Sequence, residues 1–431
     1  MNRTRPMAAL ALTSALALAL ALLAGIAPAR AATTPGSTYF PLTPSRILDT
    51  RDGTGAPVGP LGPGATLDLT VVDVAGVPAT GVTAVVLNLI AADATADDSY
   101  LTVYPAGTNR PIASNLNFMA GFTSTNLVTV AVPASGDKAG KVTIYNNLGS
   151  VSVVADISGW YSADGGAVGA TYNPLPPARV LDTRDGTGGV EGPVVAGQTI
   201  DVAVTGVGAV PATGVSAVVL NVTAVFETFD PSAPESFLTV YPSGTDRPLA
   251  SNLNYMAWLP ALPNLVIARI GTNGKVSMYN NLGNVDIVAD VQGWYTSTGT
   301  TTGATYFPLS PARDLDTRNG VGTGGAIGRM GTGQSIDLTV AGVNGVPTTG
   351  VAAVVLNVTA VDHLGAPSFM TVHPAGGQRP LASNLNFIDG ETIPNLVMAG
   401  VGADGKVSIY NDKGSVDVVA DVQGWFLANG A

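Results

Sequence analysis

The stretch Val151-Ser152-Val153-Val154-Ala155-Asp156-Ile157 alternates side chains with period two, then runs through Ser158 into Gly159-Trp160-Tyr161. Period two sends successive side chains to opposite faces, so this is the pattern of a β-strand. Its Gly-Trp-aromatic ending returns as Gly293-Trp294-Tyr295 and Gly424-Trp425-Phe426. Upstream, Arg46-Ile47-Leu48-Asp49-Thr50-Arg51 recurs from Arg179 and again from Arg313, and Tyr39-Phe40-Pro41-Leu42 recurs from Tyr172 and Tyr306. The period, about 133 residues, is domain-sized and far longer than a solenoid turn.

Within one copy the signals are β throughout. Leu67–Val71, Tyr100–Tyr104 and Val142–Tyr145 alternate, whereas Val85–Ile90 and Leu127–Val132 are near-continuous apolar runs, as central strands are. Gly, Pro, Asn and Asp punctuate about eight short strands per copy. The expected fold is all-β: three tandem β-sandwich (jelly-roll-like) domains, at 32–164, 165–298 and 299–431. The segments Ser162–Ala170 and Thr296–Ala304, rich in Gly, Ala, Ser or Thr, read as flexible linkers.

The first 31 residues read as a secretory signal peptide. Arg3 and Arg5 precede the apolar run Ala8–Ile26, and Ala29-Arg30-Ala31 is a small-x-small cleavage signature. No second apolar run is long enough to span a membrane, so the mature chain, 32–431, is expected to be secreted, or held at the cell surface by what it binds. Cleavage removes Arg3, Arg5 and Arg30 and takes the formal net charge from −11 to about −14. An acidic chain with 11% charged residues is a poor partner for nucleic acid or anionic lipid. With no Cys and two His, thiolate metal sites and Cys nucleophiles are excluded.

Comparison of the three copies separates drifting loops from fixed polar positions. Nine of the eleven mature Arg occupy equivalent places: Arg46, Arg51, Arg110; Arg179, Arg184, Arg247; Arg313, Arg318, Arg379. Asp49, Asp182 and Asp316 recur, as do Asp156, Asp290 and Asp421. So do the pairs Asn115 and Asn117, Asn252 and Asn254, Asn384 and Asn386, together with Asn88, Asn221 and Asn357 inside an apolar strand. Asp accepts, Arg donates and Asn does both, which suits the vicinal hydroxyls of a sugar. Tyr104 and Tyr241 offer aromatic faces nearby, whereas the third copy has His373. The candidate ligand-binding set is therefore Asp49, Arg51, Tyr104, Arg110, Asn115 and Asn117, then Asp182, Arg184, Tyr241, Arg247, Asn252 and Asn254, then Asp316, Arg318, Arg379, Asn384 and Asn386. Alternation places Asn115 and Asn117 on one face. The competing reading makes the same Arg, Asp and Asn fold-holding pairs, and each Trp a seal on a core.

Other signals fail. Gly328–Ser335 has Gln334 where a phosphate loop has Lys, and it precedes a strand rather than a helix. Asp49-Thr50-Arg51-Asp52-Gly53 offers too few oxygens for calcium. Both His lie in the third copy, and the four Glu (Glu191, Glu227, Glu235, Glu391) match no common position, so neither a repeated triad nor a repeated glycosidase pair is encoded. An Asp49–Asp156 pair would be spoiled as an acid by neighbouring Arg, which holds carboxylates ionised. No catalytic residue, metal or cofactor is expected.

The strings Pro44–Arg51, Leu101–Gly107, Arg110–Phe118 and Val154–Tyr161 resemble the tandem Leu-Asp-Thr-Arg repeat module of secreted actinobacterial proteins. The resemblance covers essentially the whole mature chain. It implies an extracellular accessory module, found alone or beside extracellular hydrolases, and implies no ligand. The expected function is non-catalytic, multivalent, lectin-like binding of cell-wall or exopolysaccharide glycans, a deoxyhexose such as rhamnose among them. The alternatives are an extracellular structural or adhesion protein and, third, a glycoside hydrolase.

Overall fold

The apolar run Val85–Ile90 lies in a strand buried on both faces, and the two faces serve different cores. The computed structural model describes residues 36–164, 168–226, 235–256 and 259–430; the expected signal peptide at 1–31 lies outside them. In the first repeat the strands are β1 (Thr38–Asp49), β2 (Thr66–Thr70), β3 (Val82–Ala92), β4 (Ser99–Pro105), β5 (Leu116–Phe118), β6 (Ser124–Ala131), β7 (Lys141–Asn146) and β8 (Ser152–Ser162). They form two antiparallel four-stranded sheets, ordered β1-β8-β3-β6 and β2-β7-β4-β5. The second repeat, from β9 (Tyr172–Asp182) to β16 (Asp286–Thr296), and the third, from β17 (Thr305–Asp316) to β24 (Ser415–Leu427), build the same two sheets each.

Odd positions of β3, Val85, Leu87 and Leu89, pack between the two sheets of their own repeat with Leu101, Val103, Val142 and Ile144. Even positions Ala84 and Val86 join a fourth cluster drawn from all three repeats: Ala84, Ala217 and Ala353; Val86, Val219 and Val355; Leu127, Leu265 and Leu396. A strand with two buried faces needs apolar residues at every position, which is why its periodicity disappears.

At the centre of that cluster six rings close on themselves. Centroid separations run Tyr39–Tyr161 5.0 Å, Tyr161–Tyr306 4.3 Å, Tyr306–Phe426 5.0 Å, Phe426–Tyr172 4.6 Å, Tyr172–Tyr295 5.2 Å and Tyr295–Tyr39 4.5 Å. All six are fully buried. The hydroxyls of Tyr39, Tyr172 and Tyr306 donate to the carbonyls of Ser158, Gln292 and Gln423. The motif glycine makes room for this: a Cβ on Gly159, Gly293 or Gly424 would stand 2.1, 2.4 or 2.2 Å from the matching hydroxyl. The Trp beside it lies outside the ring; Trp160 stacks on Phe40 at 4.1 Å and Trp425 on Phe307 at 4.3 Å.

The expectation of three tandem jelly-roll-like β-sandwich domains is therefore corrected. The described residues from Gly36 onward form one unit of six four-stranded blades, paired within each repeat; one blade of each pair meets its two counterparts in the shared central cluster, so the repeats are not strung as separate beads. Where the linkers are described they are pinned, not free: Ala170 exchanges two backbone hydrogen bonds with Tyr39, Ala304 does so with Tyr172, and Ser37 with Tyr306. Composition alone reads small residues as flexible, but here small side chains let the backbone approach the neighbouring repeat.

Candidate functional site

Beginning with the acidic positions, Asp49 closes β1 and Arg51 follows in the turn. Arg51 grips the Asp49 carboxylate through Nε (2.9 Å) and Nη2 (2.8 Å), and its backbone N–H adds a third bond at 3.0 Å. Arg46 donates Nη1 to Asp49 (3.2 Å) and Nε to Asp156 (2.9 Å). Two Arg and two Asp thus make a neutral cluster. It recurs as Arg179, Asp182, Arg184 and Asp290, and as Arg313, Asp316, Arg318 and Asp421. The Arg51 guanidinium holds the Asp49 carboxyl below its usual range, and Asp182 and Asp316 behave alike. Asp156, Asp290 and Asp421 go the other way, because burial outweighs the pairing Arg. Asp49 and Asp156 nevertheless flank Arg46 rather than a cleft, and both are buried.

The asparagines are likewise engaged in structural bonds, although the Nδ2 of Asn115 is buried without a partner. Asn115, Asn252 and Asn384 are buried, and their amide oxygens accept the N–H of Val103, Val240 and Val372. Asn117, Asn254 and Asn386 stay half-buried and accept the hydroxyls of Ser114, Ser251 and Ser383. Asn115 precedes β5 and turns inward, so Asn115 and Asn117 do not share an exposed face. Tyr104 and Tyr241 are buried and present no ring face to solvent. Arg110, Arg247 and Arg379 remain exposed and lie over Tyr145, Tyr279 and Tyr410 at 3.8, 3.8 and 4.1 Å.

Contacts between repeats account for the rest. Asn88, Asn221 and Asn357 donate to the carbonyls of Ser251, Ser383 and Ser114, always in another repeat. A second set, absent from the sequence-derived candidates, closes a cycle. The amide oxygens of Asn264, Asn395 and Asn126 accept the N–H of Leu127 (3.3 Å), Leu265 (3.1 Å) and Leu396 (3.1 Å). Their Nδ2 groups donate to Asn88, Asn221 and Asn357. The available signal was a recurring Asn-Leu-Val at 126, 264 and 395 within apolar runs.

One surface site does gather predicted residues. A groove of about 360 Å³ between the first two repeats is lined by Arg46, Arg51, Phe237, Arg247, Leu249 and Asn254, among others. Among the described residues its lining carries three Arg and no carboxylate. Since Arg46 and Arg51 are balanced by Asp49 and Asp156 behind them, Arg247 supplies the unbalanced charge. The Arg313 Nη2 donates to the Ile112 carbonyl at 3.5 Å, which sets the Arg110 loop of the first repeat beside the third in the same way.

No family model matches the chain, and no curated protein matches it. Among solved structures, one of Sulfolobus Turreted Icosahedral Virus is 11% identical over 92% of each chain, with a TM-score of 0.18. Another, from work on the triple jelly-roll fold and turret assembly of an archaeal virus, is 11% identical over 91% of this chain and 90% of that one, also at 0.18. Likeness at that level carries nothing to this chain.

Proposed function

We propose that this chain is a secreted, non-catalytic, multivalent glycan-binding protein whose binding sites are the grooves between repeats. The observation behind the reading is the meeting of Arg51 from one repeat with Arg247 and Asn254 of the next in an open groove. Guanidinium groups donate in a fixed fork that suits carboxylate, sulfate or phosphate. Acidic cell-wall or exopolysaccharide glycans therefore fit better than a neutral deoxyhexose such as rhamnose. Equivalent grooves at the other two junctions between repeats would turn weak single contacts into avidity on a repeating polymer.

The test is a glycan array probed with residues 32–431, acidic polysaccharides included, alongside the triple variant Arg110→Gln, Arg247→Gln, Arg379→Gln. Saturable binding lost in the triple variant supports the reading. Absence of binding by folded protein, or a triple variant that binds as well as the parent, overturns it.

The second reading, an extracellular structural or adhesion protein, draws on a different observation. Ile112, Leu249 and Leu381 sit at equivalent positions and are 87%, 80% and 85% exposed. A symmetric set of exposed apolar side chains suits contact with protein.

A further inference from the structure

A separate cavity of about 210 Å³ opens where strands of all three repeats converge. The first repeat lends β5 and β6, the second β13 (Leu253–Met256) and β14 (Ala261–Arg269), the third β22 (Ile393–Gly400) and the turn before it. Its walls are apolar and aromatic: Phe118, Met119, Phe122, Tyr255, Met256 and Leu259. Its polar groups include Asn117, Asn254 and Glu391, the hydroxyl residues Thr123, Ser124, Thr125 and Thr392, and the exposed Asp97 and Asp98. No Lys or Arg belongs to the described lining.

Glu391 is the singular feature. The motif alignment sets it opposite Phe122 of the first repeat, so the acid belongs to one repeat only. Its Oε2 accepts the Ile388 N–H at 3.1 Å, and no cation pairs with it among the described residues. Burial pushes its carboxyl up to about 7, which is how a carboxylate without a counter-charge behaves.

We propose that this cavity binds one small organic ammonium ion per chain, its apolar body against the aromatic and thioether walls and its charge on Glu391. Three carboxylates with no opposing cation favour a positive guest. Aromatic faces attract organic cations electrostatically. A hard metal ion needs several converging oxygen ligands, and among the described residues no three Asp, Glu or His side chains come together in that way. The proposal is independent of the groove reading, since the cavity shares only Asn254 and Thr123 with that groove.

The test is calorimetric titration of residues 32–431 at pH 8 with phenethylammonium and with its neutral counterpart 2-phenylethanol. The cation should bind at one site per chain and at least tenfold tighter than the alcohol. Glu391→Gln keeps an acceptor for Ile388 and should weaken the cation at least tenfold without changing the alcohol. Asn117→Asp adds a charge to the cavity, keeps the Ser114 bond and should tighten the cation severalfold. Equal affinities for the two probes, no saturable binding of the cation, or a cation affinity indifferent to both variants overturns the proposal.

Discussion

The amide oxygen of Asn126, in the first repeat, accepts the backbone N–H of Leu396, in the third, at 3.1 Å. The same side chain donates to Asn357 and to the Asn115 carbonyl, so one buried residue satisfies three groups across two repeats.

Truncation at that point should be costly. Asn126→Ala strands the Leu396 N–H, the Asn115 carbonyl and the Asn357 oxygen together, and each buried unsatisfied group costs about 1–3 kcal/mol. We expect a loss of about 3–5 kcal/mol in urea unfolding, with Asn264→Ala and Asn395→Ala alike. A loss below about 1 kcal/mol would show that the cycle is incidental.

The central ring makes a second prediction. Gly293→Ala forces a Cβ to 2.4 Å from the Tyr172 hydroxyl, inside a cluster with no room to yield. The expected destabilisation is about 1–3 kcal/mol, read as a lower melting temperature. Gly299→Ala, where a Cβ meets nothing within 4 Å but φ is +87°, tests backbone strain alone and should cost about 1 kcal/mol.

Stability should peak on the acid side of neutrality. Asp49, Asp182 and Asp316 have folded values below the ordinary carboxylate value. Their contribution is present above about pH 4 and is lost as pH falls further. Glu391, raised to about 7, and Asp314, raised to about 6 by burial, act oppositely. They favour the folded state below about pH 4 and lose that contribution as pH rises towards 7. Unfolding midpoints between pH 3 and 8 should therefore pass through a maximum near pH 4–5. Asp314→Asn with Glu391→Gln should make the alkaline limb shallower, the remainder belonging to Asp156, Asp290 and Asp421, which burial also raises; an unchanged limb would contradict the assignment.

An isolated repeat should not remain a monomer. Residues 36–164 alone would expose Tyr39, Ala84, Val86, Leu127 and Tyr161, all buried in the central cluster. Light scattering should find trimers or larger species; a stable, folded monomer would mean that the shared cluster is dispensable.

Repeats, strands and the Gly-Trp-aromatic punctuation were legible because each is local: a period of two, a turn residue, a motif at fixed spacing. What the polar residues do was not. Asp49 and Arg51 read equally well as part of a ligand set or as a fold-holding pair, because recurrence marks constraint without saying what imposes it. The bond from Asn126 to Leu396 spans 270 positions and leaves no periodicity behind. The linkers misled for a related reason. Small residues signal freedom in one setting and close approach in another, and only the partner strand decides which.

Phe426 stands where the other repeats have Tyr161 and Tyr295, whose hydroxyls meet at 2.5 Å. Three separate identical subunits would obey their own rotation axis and carry the same residue at all three places. Two hydroxyls satisfy each other; a third at the same centre would be the odd one out. Three copies in one polypeptide are free of that constraint, since each can differ from its sisters. The single acid at Glu391, set against Phe122, is open to the same chain for the same reason. Carrying the three repeats in one chain gives a threefold arrangement a unique side, on which a function can rest that a homotrimer has no way to encode.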